Sequence, residues 1–415
     1  MTTSVGPEID ALVRRDGGRM LSRLVADIRD FQLAEDSLQD ALEAALVHWD
    51  RSGLPRSPVG WLLQTARRKA IDRIRRSANF RSKSAELTAL IELDRDFEPV
   101  IDADPIADER LKLIFTCCHP ALAPRISVAL TLRSVCGLKT EEIARAFVMS
   151  PEAMAQRLVR ARHKIAKAGI AYEVPEADGW GERLQSVLAV IYLVFNEGYA
   201  ASSGELVRGE LCDEAIRLGR LVHQLCPGEP EVEGLLALML LHHARSNTRL
   251  GLAGELVTLE GQDRTQWDRE MIGEAREILQ GALRRGRAGL YQLQAVIAMI
   301  HADAPSFAET DWTEIALIYD SLIAVEPNPV FELNRVVALS YAVSAEMALK
   351  RLERVGAALE SYQPYHAVRA DLLVRLGDMT AAGAAFERAI ALSGSAAERR
   401  FLENKLRAFC GQGCT

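Results

Sequence analysis

Residues 138–167 read LKTEEIARAFVMSPEAMAQRLVRARHKIAK, and their amide and basic side chains are spaced to meet nucleic acid. Gln156, Arg157, Arg160 and Lys164 fall on one side of a helical repeat, and no acid follows Glu152 in this stretch. A glutamine amide matches the edge of adenine, an arginine fork matches guanine, and further cations suit phosphates. Those groups read a duplex only if a rigid element carries them into the major groove. The spacing predicts two helices and a tight turn. Thr140, with Glu141 and Glu142, opens the first helix, and Ile143, Ala144 and Phe147 form its buried face. Ser150 is a good N-cap and Pro151 suits the first position of the second helix. Met154, Leu158 and Ala161 then face inward, which completes a helix-turn-helix pattern.

Charge is distributed in blocks. Residues 61–83 carry eight bases against Asp72 alone, a balance of +7. Residues 86–110 carry nine acids and two bases, or −7, and residues 111–170 return to +7 with ten bases and three acids. Basic blocks of this kind attract phosphate backbones through counterion release. In the first block, Gln64, Arg68 and Asp72 lie along one side of a helix at i, i+4 and i+8, and Arg67 and Arg75 are placed to hold phosphates. Trp61 is either a base-stacking platform or core. In 33–50, Leu38, Leu42 and Ala45 make an apolar stripe, with Glu35, Asp36, Gln39 and Asp40 on an exposed acidic face.

Positioning these groups falls to helices. Apolar residues recur at three- and four-residue spacing almost everywhere, so the chain is expected to be all-α. Residues 8–83 form one helical domain, 84–108 an acidic linker with Pro99 and Pro105, 109–170 a second helical domain, and 181–415 a long helical extension. The extension hides a repeat. Ala348, Leu352 and Val355 are matched 34 residues later by Ala382, Phe386 and Ala389. Ile315, Tyr319 and Leu322 precede them, followed by Pro327, and Ala215, Gly219, Val222 and Ala275, Leu279, Ala282 are weaker echoes. Small-x3-large-x2-small at that period is the tetratricopeptide spacing, in which small residues let antiparallel helices approach. The extension is therefore expected to be a tetratricopeptide-like α-solenoid with a concave binding surface. Phe401, Leu402, Leu406 and Phe409 give the last helix an apolar face that caps the stack.

The chain of 415 residues is 49% apolar and 26% charged with a net charge of −7, which excludes a disordered or uniformly basic protein. Its apolar runs, such as 187–195, are far shorter than the roughly 20 residues of a membrane span. The N-terminus has no apolar signal-peptide core, and seven cysteines without framework spacing predict reduced thiols, so a cytoplasmic protein is expected. Cys117-Cys118-His119 lacks a matching ligand pair at zinc spacing and reads as buried small side chains. No nucleophile–base set, phosphate-cradling loop or carboxylate pair stands out, so neither an enzyme nor a metal or cofactor is expected. Asp16-Gly17-Gly18-Arg19 is either a helix-entry turn or a contact point for the C-terminal domain.

Three segments, in order, resemble the extracytoplasmic-function group of sigma-70 RNA polymerase sigma factors. LAEDSLQDALEAALVHWD (33–50) is similar to the part that holds core RNA polymerase, and GWLLQTARRKAIDRIRR (60–76) to the part that melts and reads the −10 element. Residues 124–164 are similar to the part that reads the −35 element, with Arg157, Arg160 and Arg162 in the expected places and Ala153-Met154 where Thr-Val is common. IYLVFNEGYAASSGELVRGELCDEAIRLGRL (191–221) and the repeats resemble a subgroup with a large helical C-terminal extension. The resemblance implies core-polymerase contacts at Glu35, Asp36, Gln39 and Asp40. It implies −10 contacts at Gln64, Arg67, Arg68, Asp72 and Arg75, and −35 contacts at Gln156, Arg157, Arg160, Arg162 and Lys164. It implies a loop at 51–59 that helps hold a flipped base, and a linker that threads the polymerase channels. Core RNA polymerase and promoter DNA are the expected partners, and the solenoid regulates in cis or binds a protein or ligand partner of its own. The rival is a stand-alone helix-turn-helix regulator with a sensing solenoid, which would not need the 33–76 block.

Overall fold

The computed structural model describes residues 5–76, 105–147, 149–170, 172–175, 177–199, 209–251, 256–394 and 396–412. Apart from a single bridge between Leu250 and Leu256, the regular structure among them is helical, as the apolar period requires. The acidic linker lies outside the described residues except at its end, where Pro105 opens a helix. The chain divides into two compact units, 1–193 and 194–415, each described here by itself. Among the described residues no helix is long and apolar enough to cross a membrane.

The first unit contains α1 (Gly6–Ile28), α2 (Phe31–Ser52), α3 (Pro58–Arg76), α4 (Pro105–Cys117), α5 (Pro124–Ser134), α6 (Thr140–Ala146), α7 (Pro151–Lys167) and most of α8 (Ala177–Tyr199). α1 buries Met20, Leu21, Leu24, Val25 and Ile28 against α2 and α3. The Asp16-Gly17-Gly18-Arg19 segment is not an entry turn; it lies inside α1. A Cβ on Gly18 would stand 2.5 Å from the Val135 carbonyl oxygen, so only glycine lets α1 come this close to the turn after α5. Gly137 answers it from that turn, with φ +73° and a Cβ position 2.7 Å from the Val13 carbonyl oxygen. The segments 8–76 and 109–170 thus share one packed unit. Arg14 to Glu142 and Lys139 to Asp10 add exposed ion pairs across the same seam.

The second unit stacks antiparallel hairpins from α9 (Gly209–Leu225) and α10 (Pro230–His243) through α11 (Arg269–Leu283), α12 (Leu290–Asp303), α13 (Trp312–Val325), α14 (Pro329–Ala342), α15 (Ala345–Leu359), α16 (Gln363–Leu376), α17 (Met379–Leu392) and α18 (Ala396–Gln412). Most helices pack mainly on their chain neighbours, the arrangement of a solenoid, while α12 packs chiefly on α10. The repeat positions are its inner seams: Ala215, Gly219, Val222, Ala275, Leu279, Ala282, Ala348, Leu352, Ala382, Phe386 and Ala389 are all buried. Leu402 of α18 is buried, with Phe401 and Leu406 packed around the α16–α17 core, so the last helix does cover the stack. Helices α12, α13, α14, α16 and α18 line a cavity of about 430 Å³, with Trp312 of α13 and Tyr341 of α14 in its wall.

Candidate nucleic-acid interface

The helix-turn-helix forms as its spacing requires. Ser150 caps α7 by accepting the Ala153 N–H at 3.2 Å, and Pro151 follows it. Glu142 accepts the Lys139 N–H at 2.7 Å and so closes the start of α6. Ile143, Ala144, Met154, Leu158 and Ala161 are buried, which fixes the angle between the two helices. On the outer side of α7, Gln156, Arg160 and Lys164 are exposed and Arg157 is half-buried. Lys164 donates to the Ala121 carbonyl, within reach of the α4–α5 turn.

Arg162 departs from the expected reading face. Its side chain is only 12% exposed, and its Nε lies 3.3 Å from Glu35 while Nη1 lies 3.7 Å from Asp36, both on α2. Position 162 is one turn on from Leu158 and one short of Ile165, so it flanks the buried stripe and turns inward. Glu35 is corrected with it. Expected on an exposed face, it is 7% exposed, because Arg162 and Arg133 (3.6 Å) close over it. Burial pushes the Glu35 carboxyl above its usual range; Arg162 and then Arg133 pull it back, and Asp36 adds to the rise. Asp36 and Asp40 are about a third exposed and both meet Arg73 of α3, at 3.2 and 2.8 Å. Gln39 is exposed.

The raised Glu35 pKa has a sign that can be measured. Below the usual glutamate value of 4.5 both folded and unfolded chains hold the proton, so the group's favourable contribution is complete there. As pH rises above 4.5 the unfolded chain ionises first, and that contribution is lost through the folded pKa. Glu35→Gln cannot titrate. The stability of the natural chain relative to Glu35→Gln is therefore expected to fall as pH rises through the window just above 4.5, read from urea melts at a series of pH values. A relative stability that rises instead would mean that the arginines outweigh burial.

On α3, Arg68, Asp72 and Arg75 are exposed and Gln64 is half-buried along one side. Arg67 is not on that face. It is 1% exposed, and its Nε and Nη2 donate to Asp27 Oδ2 of α1 at 2.9 and 2.6 Å. The expected phosphate contact is a buried strut between α1 and α3. Trp61 is half-buried, stacked on His48 at 5.7 Å with Trp49 edge-on at 5.3 Å. Cys117 and Cys118 are buried thiols, pushed up by burial, Cys118 to about 12.

Comparison with known proteins divides the chain the same way. Residues 12–80 match the family model for sigma-70 region 2, and residues 112–165 match sigma-70 region 4. Residues 183–283 match a family of unknown function, DUF6596. Over 389 residues, 93% of this chain and 92% of the relative, the sequence is 43% identical to "Uncharacterized protein R00370" of Rhizobium meliloti (strain 1021). It is 28% identical over 163 residues to "Probable ECF RNA polymerase sigma factor SigI" of Mycobacterium tuberculosis, spanning 37% of this chain and 52% of that one. No solved structure matches the chain.

Proposed function

Because the chain belongs to the sigma-70 family, as an extracytoplasmic-function sigma factor with a helical C-terminal extension, we propose how its helices divide the work. Sigma-70 regions 2 and 4 imply binding to core RNA polymerase and promoter DNA, and sigma factors are non-enzymatic DNA-binding transcription regulators. Asp36, Gln39 and Asp40 on α2 engage core polymerase. Gln64, Arg68, Asp72 and Arg75 on α3 meet the −10 element. Gln156, Arg157 and Arg160 on α7 read the −35 element, with Lys164 on a phosphate. Arg67, Arg162 and Glu35 instead hold the helices that carry these groups. The observation that carries this reading is the pair of sigma-70 matches lying, in order, on helices whose outer faces bear those charges. A stand-alone regulator would need α6 and α7 alone, so the match over residues 12–80 speaks against it. Transcription places the chain in the cytoplasm, and the solenoid supports promoter use or binds a regulatory partner.

Two substitutions separate reading from positioning on α7. Arg157→Ala is expected to cost about 1–3 kcal/mol at one promoter position if its fork pairs with guanine. Lys164→Ala should weaken binding on all sequences alike and lower the salt slope by about one charge. Holoenzyme binding to promoter variants at several salt concentrations measures both, and a uniform loss for Arg157→Ala would move that residue to the phosphates. On α2, reversing the charges of Asp36 and Asp40 should weaken association with core polymerase. Their pairs with Arg73 are partly exposed, so the fold should lose only about 0–1 kcal/mol per pair. Normal core binding by the double reversal would remove α2 from the polymerase interface.

A further inference from the structure

The stretch matched as a family of unknown function, 183–283, carries cations that neither the promoter-reading helices nor the hairpin seams account for. α8 ends in Phe195-Asn196-Glu197-Gly198-Tyr199, and a Cβ on Gly198 would stand 2.7 Å from the Cys212 nitrogen, so the end of α8 is pressed against α9. The Tyr199 ring is met edge-on by His242 at 5.1 Å, and the Arg249 guanidinium lies 3.6 Å from its centroid. The Arg245 guanidinium lies 5.8 Å from the same ring. Arg249 is 8% exposed and donates to the Tyr199 carbonyl. Arg264 is 6% exposed and donates to the carbonyls of His301 and Ala304, at 2.6 and 2.7 Å, and to the Thr310 hydroxyl at 3.3 Å.

Carbonyls, a hydroxyl and a ring face solvate a guanidinium but leave its charge uncancelled. Among the described residues, Arg245, Arg249 and Arg264 form no ion pair with an aspartate or glutamate. Glu309 offsets Arg264 only from beyond ion-pair distance. Burial, then Arg245 and Arg264, push His301 down to about 3, and burial, then Arg245, Arg249 and His301, hold His242 well below its usual range. Arg245 shares the Tyr199 ring with Arg249, and burial, with Arg245 adding to it, lowers both Arg249 and Arg264. The result is three gathered positive charges beside two neutral imidazoles, and His301 Nδ1 is buried with no hydrogen-bond partner. Like charges taken out of water are costly unless something opposite completes them.

We propose that Arg245, Arg249 and Arg264 form an anion site that takes the phosphate group of a small molecule. Guanidiniums grip phosphate oxygens in pairs, and a phosphate there neutralises the group. Two of the three are more than nine-tenths buried, so the rail of a duplex cannot reach them, and the half-buried Arg245 is the side from which a small anion would enter. The ligand is a free phosphate or a phosphate monoester or diphosphate, and the titration distinguishes these.

The test titrates the full chain by calorimetry with inorganic phosphate, pyrophosphate and a ribonucleoside diphosphate, at an ionic strength fixed with chloride. A saturable heat with at least one of them is expected, together with a rising melting temperature. Arg245→Gln, at a half-buried position, should weaken that binding about tenfold, the loss of one charge-assisted contact. Arg276→Gln removes a cation of the same unit that is paired with Asp303 on the surface, and should bind as the natural chain does. No saturable heat with any of the three probes overturns the proposal, as does an equal loss in both variants. The measurement needs neither polymerase nor promoter, so it stands or falls apart from the sigma-factor reading.

Discussion

Arg67→Met is expected to cost about 3–5 kcal/mol of stability, near the lower end of that range. Arg67 and Asp27 are both buried between α1 and α3 (2% and 7% side-chain exposure), and removing the cation strands the carboxylate in a poor solvent. Arg23, 3.4 Å away and more exposed, softens the loss without replacing a two-pronged contact. The double variant Arg67→Met with Asp27→Leu should recover most of it, because a well-packed apolar pair avoids desolvating two charges. Urea unfolding at unchanged slope measures both. A loss under about 1 kcal/mol for the single variant would return Arg67 to the surface and to the phosphates.

The second large effect concerns the extension. Under the proposal that the solenoid supports promoter use, cutting the chain after Leu193 is expected to remove most promoter-directed transcription. This cut keeps every residue of the first unit. A cut at Glu173 is a worse probe, since it strips α8 from the first unit, where Trp180 packs on Phe115 at 5.2 Å and Arg183 donates to the Phe115 carbonyl. Loss of residues after Ser395 should act in the same direction more weakly, by uncovering Phe386 and its neighbours at the end of the stack. Residues 171–415 carry a net −11, which also suits an inhibitor that competes with DNA. Reporter output at matched soluble levels decides: higher output from the shortened chain would make the extension an inhibitor.

Local chemistry made much of this legible from residues alone. The cap at Ser150, the inward stripe of α7 and the buried seams at Ala348, Leu352, Ala382, Phe386 and Ala389 follow from capping and period. The errors came from charged residues at the edges of apolar stripes. Arg67 shares a helical face with Ile71 and Ile74, and Arg162 stands between Leu158 and Ile165, so strict periodicity would have turned both inward. Glu35, beside Ala34 and one turn before Leu38, is the same case. Charge was allowed to override position, and each of these groups found an opposite charge far along the chain. Gly18 had no local signal, since its reason is the backbone of Val135, more than a hundred residues away. The cations at Arg245, Arg249 and Arg264 were equally silent, because their meeting depends on how hairpins stack.

The most direct test of the central claim is transcription with purified components. Core RNA polymerase from the chain's own host, alone or with the full chain, is given fragmented host genomic DNA, and the transcript 5′ ends are mapped. The sigma-factor account predicts discrete new starts that need both proteins and share two upstream elements, one read by α3 and one by α7. Transcripts no different from those of core alone, with tight site-specific DNA binding by the chain in the absence of polymerase, would contradict it.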